Sequence, residues 1–311
     1  MCGIAGIIYR DNADGHPIGA DMTRMLQSMK HRGPDSTGYA LYGTAGQQVI
    51  MRYKLADANT PRDFEFEDRL RRHRAQVEAR LRQIGARHLE IEHENEYADR
   101  VTFDYDGDLK TLADTVEDVT DAEVLSLGHS LEIIKDLGDA ESVAGDYKLG
   151  GFTGTHAIGH VRMATESDVD ISGAHPYWAY PFGDVAVVHN GQLTNYHQWR
   201  RRLERSGHRF QSECDSEIIA VYLAEKMHED YTLEEAMRQS LDDLDGVFTY
   251  ICVTKDALGV AKDELAAKPL VLYEADDMVA LASEEIAIRA IVDREIPTYD
   301  PYEGEVLVWQ R

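Results

Sequence analysis

The chain predicts an α+β protein, and three observations lead there. Short apolar runs of strand character recur from Ile4 to Trp309. Separate amphipathic helical stretches lie among them, at 18–31, 65–87 and 195–206. With 43% hydrophobic residues in 311, the chain has ample apolar content for one large domain or two, and it shows no internal repeat.

The first strand is Gly3-Ile4-Ala5-Gly6-Ile7-Ile8, and it follows Met1-Cys2. Once an initiator methionine is removed, Cys2 carries a thiol and a free α-amino group on one residue. The thiol titrates near pH ~8.5 and the amine near ~7.7–8.0, so the amine can accept the thiol proton. A lone cysteine is also an ordinary small core residue, and Cys2 by itself does not separate the two readings.

Residues 18–31 carry Ile18, Met22, Met25, Leu26 and Met29 at helical spacing and run into His31-Arg32-Gly33-Pro34-Asp35-Ser36-Thr37-Gly38. Gly33-Pro34 stops the helix and leads by a sharp loop into a strand at 39–41. Arg32 reads equally well as a surface charge. From about 50 to 150 the character changes: one long charged helix at 65–87, two strands within 88–106, then acidic amphipathic helices around 108–137. The cluster Arg69, Arg71, Arg72, Arg74 reads as a solvated face making local ion pairs, and no chemistry is legible in this segment.

A strand at 155–161 delivers Gly159-His160-Val161-Arg162-Met163-Ala164-Thr165-Glu166-Ser167 into a polar loop ending at His175-Pro176. The next strand, 184–188, ends in His189-Asn190-Gly191. That pair is either a tight turn or an oxyanion hole, with the Asn190 amide and the Gly191 N–H as donors. After a helix at 195–206, Cys214-Asp215-Ser216-Glu217 opens another. Asp215 is an ordinary helix start on its own. With Arg162 it makes the charge pair that holds a free amino acid by carboxylate and ammonium. Strands at 247–253, 258–261, 269–273, 279–282 and 305–309, with a helix at 284–292, complete the reading.

Composition excludes several classes. A formal net charge of -25 repels nucleic acid and anionic membrane surfaces. Cys2, Cys214 and Cys252 are far apart and unpaired in pattern, so neither a disulfide framework nor a structural zinc site is expected. His156 and His160, four apart on a strand, would stand ~13 Å apart, too far to share a metal ion. His31, His175 and His189 read as hydrogen-bonded loop histidines. With no transmembrane run and no signal-peptide pattern, a cytoplasmic protein is expected.

MCGIAGI, HRGPDSTG, GHVRMATES, the His175-Pro176 pair, HNG at 189–191 and CDSE at 214–217 together resemble the class II glutamine amidotransferases, which are N-terminal-nucleophile hydrolases. The resemblance covers about 2–43 and 154–217, continues less specifically to residue 311, and leaves 50–150 uncovered. It implies a four-layer αββα sandwich of two antiparallel sheets, one domain over 1–311, with an α-rich insertion at about 50–150. It implies Cys2 as nucleophile and Asn190 and Gly191 as the oxyanion hole. Arg32, Arg162, Thr165, His175 and Asp215 form the implied substrate set, with Arg162 on the α-carboxylate of L-glutamine and Asp215 on its α-amino group. Met163 in GHVRMATES is similar to the small subunits of glutamate-synthase-like and N-methylglutamate-synthase complexes. A partner synthase subunit taking the ammonia is therefore expected, and an oligomer is compatible with that. The chain has no flavin or iron–sulfur signature, so no cofactor is expected in it and any flavin or cluster belongs to the partner. The rival readings are an amidohydrolase of the same fold with another specificity, and a non-catalytic scaffold subunit.

Only nine of the 32 basic residues are Lys, and acidic residues number 57. Such an acid-rich, Lys-poor composition fits a salt-adapted cytoplasm. Stability measured by chemical denaturation should then rise between low and molar salt; a flat or falling dependence would contradict that reading.

Overall fold

The structure, a computed structural model, describes residues 2–10, 15–163, 171 and 173–311; Met1 and Thr165 lie outside the described residues. In chain order the elements are β1 (Gly3–Tyr9), α1 (Ile18–Ser28), β2 (Ser36–Tyr42), β3 (Val49–Lys54), α2 (Phe66–Gln83), β4 (Arg87–His93), β5 (Ala98–Asp104) and α3 (Leu109–Glu117). Then come β6 (Glu123–Gly128), β7 (Leu131–Leu137), α4 (Ala140–Asp146), β8 (His156–Arg162), β9 (Tyr177–Trp178), β10 (Ala186–Leu193), α5 (Tyr196–Arg205), α6 (Asp215–His228) and α7 (Leu233–Asp243). The chain finishes with β11 (Gly246–Val253), β12 (Ala257–Lys262), β13 (Val271–Glu274), β14 (Met278–Ala282), α8 (Glu285–Arg289), β15 (Thr298–Tyr299) and β16 (Val306–Gln310).

Two antiparallel sheets form the centre: one in the order β15-β13-β14-β1-β8-β2-β7, the other β16-β12-β11-β10-β9. They meet face to face. The Tyr42 hydroxyl, from the first sheet, donates to the Val253 carbonyl of the second at 3.2 Å. Helices α1, α4 and α8 cover the outer face of the first sheet and α6 and α7 that of the second, with α5 packed against α6. This is the expected αββα sandwich. Alternation along β1 decides where the chain's first residues point. A side chain at Gly3 would meet Met29 and Arg32 on the helical side, whereas one at Gly6 would meet Leu258 of the opposite sheet. Cys2 follows the Gly6 parity, toward the inter-sheet space. In β8, Gly159 lies under Met22 and Leu26 of α1, so His160 and Arg162 take that same inward parity.

The segment at 50–150 differs from its expectation. It is built around a third antiparallel sheet, β4-β5-β3-β6, with α2 and α3. Of the helical stretch expected at 108–137 only 109–117 is helix; 123–128 and 131–137 are strands. The acidic residues that suggest a charged helix face there are instead paired across strands. Glu132 receives Arg52 Nε at 2.7 Å and Arg100 Nε at 2.8 Å, and Asp136 receives the Tyr97 hydroxyl at 2.6 Å. The Arg cluster is also more than a solvated face. Arg69 and Arg71 do make local pairs, with Asp63 and Asp68, but Arg74 reaches the fully buried Asp99 of β5 at 2.9 Å. Among the described residues no helix is long and apolar enough to cross a membrane.

His156, at the far end of β8 from Arg162, is fully buried. Its ring stacks on Tyr42 with centroids 4.2 Å apart, and its nitrogens bond Thr155 Oγ1 and the Thr254 carbonyl, both at 2.8 Å. Burial pushes the imidazole from 6.5 down to about 4. A base with a depressed folded value binds its proton in the unfolded chain first, so its contribution is intact above pH ~6.5 and is lost as pH falls toward ~4, at about 1.4 kcal/mol per pH unit. Replacing His156 with Gln should reduce the pH dependence of unfolding free energy by about one proton across that window. An unchanged slope would show that His156 protonates as readily folded as unfolded.

Candidate active site

The Cys2 backbone carbonyl is the best-anchored group at the start of the chain. It accepts the Arg32 guanidinium Nε at 3.1 Å from one side and the Asn190 amide Nδ2 at 3.1 Å from the other. Arg32 is itself held by Glu284, whose carboxylate lies 2.6 Å from Nη1. The His31 ring shares that carboxylate at 3.1 Å. Glu284 is reached because Ser283 closes onto β1: its hydroxyl accepts from Ile4 N–H at 3.0 Å and its own N–H donates to the Ile4 carbonyl at 2.9 Å. Gly33 follows Arg32 because nothing larger fits. A Cβ there would stand 2.6 Å from the Arg162 backbone nitrogen.

A cavity of about 880 Å³ opens beside this terminus, lined by Cys2, Arg162, Asn190, Gly191 and Asp215 among others. Five residues from four distant stretches of sequence thus converge on one space. Cys2 is half-buried, with Sγ 4.0 Å from the Met163 carbonyl. Arg162 leaves the end of β8 with its guanidinium packed on Gly173, where a Cβ would meet Nη2 at 2.7 Å. Asp215 opens α6, a favourable place for a carboxylate. Its Oδ2 accepts from Leu193 N–H at 2.7 Å, which ties the helix start to the end of β10.

The His189-Asn190-Gly191 stretch is not a turn. It lies inside β10, with Asn190 paired to Thr249 and Gly191 to Phe248 of β11. At Gly191 φ is +153°, and a Cβ would stand 2.2 Å from the Val247 carbonyl oxygen, so glycine is required for the backbone's own sake. The strand alternates here as elsewhere: Asn190 points to Cys2, while His189 points to α6 and bonds Ser216 Oγ at 2.7 Å.

Three buried imidazoles form part of the wall. His160 and His175 stack with centroids 4.1 Å apart, and His189 lies 6.4 Å beyond His175. Burial lowers all three; nearby positive groups reinforce it at His160, which falls to about 3, and at His175, which falls well below its ordinary value, while at His189 the Asp215 carboxylate opposes it. They are neutral at physiological pH and add ring surface and hydrogen-bonding capacity without charge. The charges facing the cavity come from Arg162, Asp215 and, at the outer end, the Arg200–Glu213 pair at 3.4 Å.

Of the residues expected at the site, Cys2, Arg162, His175, Asn190, Gly191 and Asp215 all line the cavity, and Thr165 lies outside the described residues. Arg32 sits behind the Cys2 carbonyl and is not part of the lining. Glu284 has no counterpart in the sequence reading, and Ser216 and Glu217 enter it only within the CDSE stretch, without a role of their own. Glu217 is buried under the cavity wall and accepts Gln211 N–H at 2.8 Å and Ser212 N–H at 2.9 Å. Cys214 lines the cavity with Sγ 3.5 Å from Ser216 Oγ, and Cys252 is core.

A family profile described as a glutamine amidotransferase domain matches residues 160–290. A protein of Methanothermobacter thermautotrophicus whose name places it among glutamine amidotransferases is 42% identical over the whole of both chains. The glutamine amidotransferase-like protein GlxB of Rhizobium meliloti is 34% identical over 99% of this chain and 98% of its own. Both alignments therefore include the 50–150 segment. In structure, the chain is similar to the glutamine phosphoribosylpyrophosphate amidotransferase of B. subtilis, with a TM-score of 0.60 and 21% identity, over 99% of this chain and 47% of that one.

Gly191→Ala should destabilise the protein by about 2–4 kcal/mol, since it combines a strained φ with a backbone collision inside a paired strand. Denaturant unfolding of the variant checks this, and wild-type stability would mean that β10 can shift its register at the site.

Proposed function

Because the chain belongs to the class II glutamine amidotransferases, we propose that it is a glutaminase subunit that releases ammonia from the side chain of L-glutamine for a synthase on another chain. The observation that carries this reading is the convergence of Cys2, Arg162, Asn190, Gly191 and Asp215 on one cavity. In the proposed reaction, removal of Met1 frees the Cys2 α-amino group, which takes the thiol proton. The thiolate attacks the carboxamide carbon of glutamine, and the carbonyl electrons move to oxygen. Asn190 and the Gly191 N–H stabilise that oxyanion. An amide NH₂ has two donors, so Asn190 can hold the Cys2 carbonyl with one and serve the oxyanion with the other. As the tetrahedral intermediate collapses, the C–N bond breaks and the nitrogen leaves as ammonia with the proton from the α-amino group. Water then hydrolyses the thioester to glutamate. Arg162 holds the substrate carboxylate and Asp215 its ammonium, while Arg32 fixes the nucleophile through its carbonyl. The neutral histidines support this assignment, because they leave the Arg162 and Asp215 pair as the charges that address a zwitterion there.

The acceptor belongs, on this proposal, to a glutamate-synthase-like partner in the cytoplasm. Met163 in the GHVRMATES stretch supports that group.

Intact mass before and after incubation with a glutamine-mimicking diazo-ketone tests the chemistry, repeated on Cys2→Ala. Loss of Met1 and one adduct that disappears in the variant is the expected result, and Asn190→Ala should lower glutamine turnover about 10²–10³-fold while glutamine still binds. A retained methionine with no Cys2-dependent adduct would overturn the reading.

A further inference from the structure

The 50–150 segment has no role in the reaction as described, yet it touches the cavity wall. Helix α3 ends on Glu117, whose side chain is only 9% exposed. Glu117 Oε1 accepts from the Gln211 side-chain amide at 2.6 Å and from Val124 N–H at 2.8 Å, while Oε2 pairs with Arg209. One turn earlier Asp114 holds the same Arg209, 2.9 Å from its Nε, and receives the Tyr180 hydroxyl at 2.6 Å. The guanidinium lies 4.2 Å over the Tyr180 ring. Arg209 and Gln211 begin the run that forms one side of the cavity from Phe210 to Asp215. From the other side Glu217 holds the N–H groups of Gln211 and Ser212. The wall is therefore suspended between two buried carboxylates, one on α6 of the sandwich and one on α3 of the added segment.

The added segment is itself fixed to the sandwich. The Asp184 carboxylate, just before β10, accepts the N–H groups of His129, Ser130 and Leu131 at 2.8–3.0 Å. Hydrogen bonds to a carboxylate are the stronger kind, so this junction transmits position rather than yielding. Lys135, on β7 at the edge of the first sandwich sheet, also approaches the site, donating to the Ala174 carbonyl at 3.3 Å beside His175.

We propose that Glu117 is a positioning residue for the substrate wall, acting through Gln211 and Arg209 to hold residues 209–214, and with them Asp215, in the geometry that receives the substrate's α-amino end. The inference rests on the glutaminase reading only for what the wall binds. Glu117 does not line the cavity, so any effect of changing it must pass through the loop.

Two readouts on Glu117→Ala and Glu117→Gln test it. In Glu117→Ala, amide hydrogen exchange over 209–214 should quicken about tenfold or more while β10 and β11 keep their protection. Glu117→Gln, which retains the acceptor oxygen for Gln211, should recover much of that protection. The KM for glutamine should rise about tenfold in Glu117→Ala with kcat within about twofold, because the nucleophile and oxyanion donors are untouched. Unchanged exchange over 209–214 in a folded Glu117→Ala would overturn the proposal, as would an unchanged KM. A wild-type protein without glutamine turnover would instead remove the glutaminase reading, and the exchange experiment would still decide whether Glu117 holds the wall.

Discussion

The site depends on the double anchoring of one carbonyl, that of Cys2. A chain terminus is ordinarily the least ordered part of a domain unless something ties it down. Here β1 supplies part of the tie, pairing with β8 on one side and β14 on the other. The last residue before the strand is held separately, by Arg32 from the α1 side and Asn190 from the opposite sheet. The two donors come from different layers of the sandwich. The Cys2 position is thus a function of how the layers pack, and a relative shift of the two sheets would break one bond or the other. Glu284 completes the arrangement by fixing the guanidinium that does the holding.

The electrostatics of the cavity follow from burial as much as from charge. Histidines in a site invite a general-base role, but desolvation keeps His160, His175 and His189 neutral, and His160 lies beneath the stacked His175 ring. A neutral wall adds no positive charge beside Arg162 and leaves the Asp215 carboxylate unneutralised by imidazolium.

Much of the candidate site is legible because the residues that line it are of types with recognisable chemistry. A cysteine at position two, an arginine after a strand, Asn-Gly and an aspartate at a helix start each suggest a role locally, and the sandwich brings them to one cavity. The residues that escaped notice act through others. Glu284 matters because it meets Arg32, 252 positions away, and Glu217 because the chain folds back over it. No local pattern distinguishes such a carboxylate from an ordinary helix-start acid. The same limit applies to the stretch from 108 to 137, read as helical and partly strand. Glu132 and Asp136 look like a solvated helix face until the strands that carry Arg52, Arg100 and Tyr97 are in place beside them. Helix α7, absent from the sequence reading, does carry a local signal, the capping box of Thr232 and Glu235.

The basic residues separate into two populations by what the structure asks of them. Arg52 and Arg100 bracket Glu132, Arg74 meets Asp99, Arg209 bridges Asp114 and Glu117, and Arg32 joins Glu284 to Cys2. Each holds two groups at once, or a buried carboxylate, and the planar guanidinium does this where an ammonium would not. Lys in place of Arg52, Arg74 or Arg100 would keep the charge but lose the planar, multi-donor contact with a buried carboxylate. The five arginines, of the 23 that remain when nine Lys are taken from 32 basic residues, are explained by internal networks and say nothing about habitat. The net charge of -25 is a separate matter, and it is on that charge that a salt dependence of stability would act.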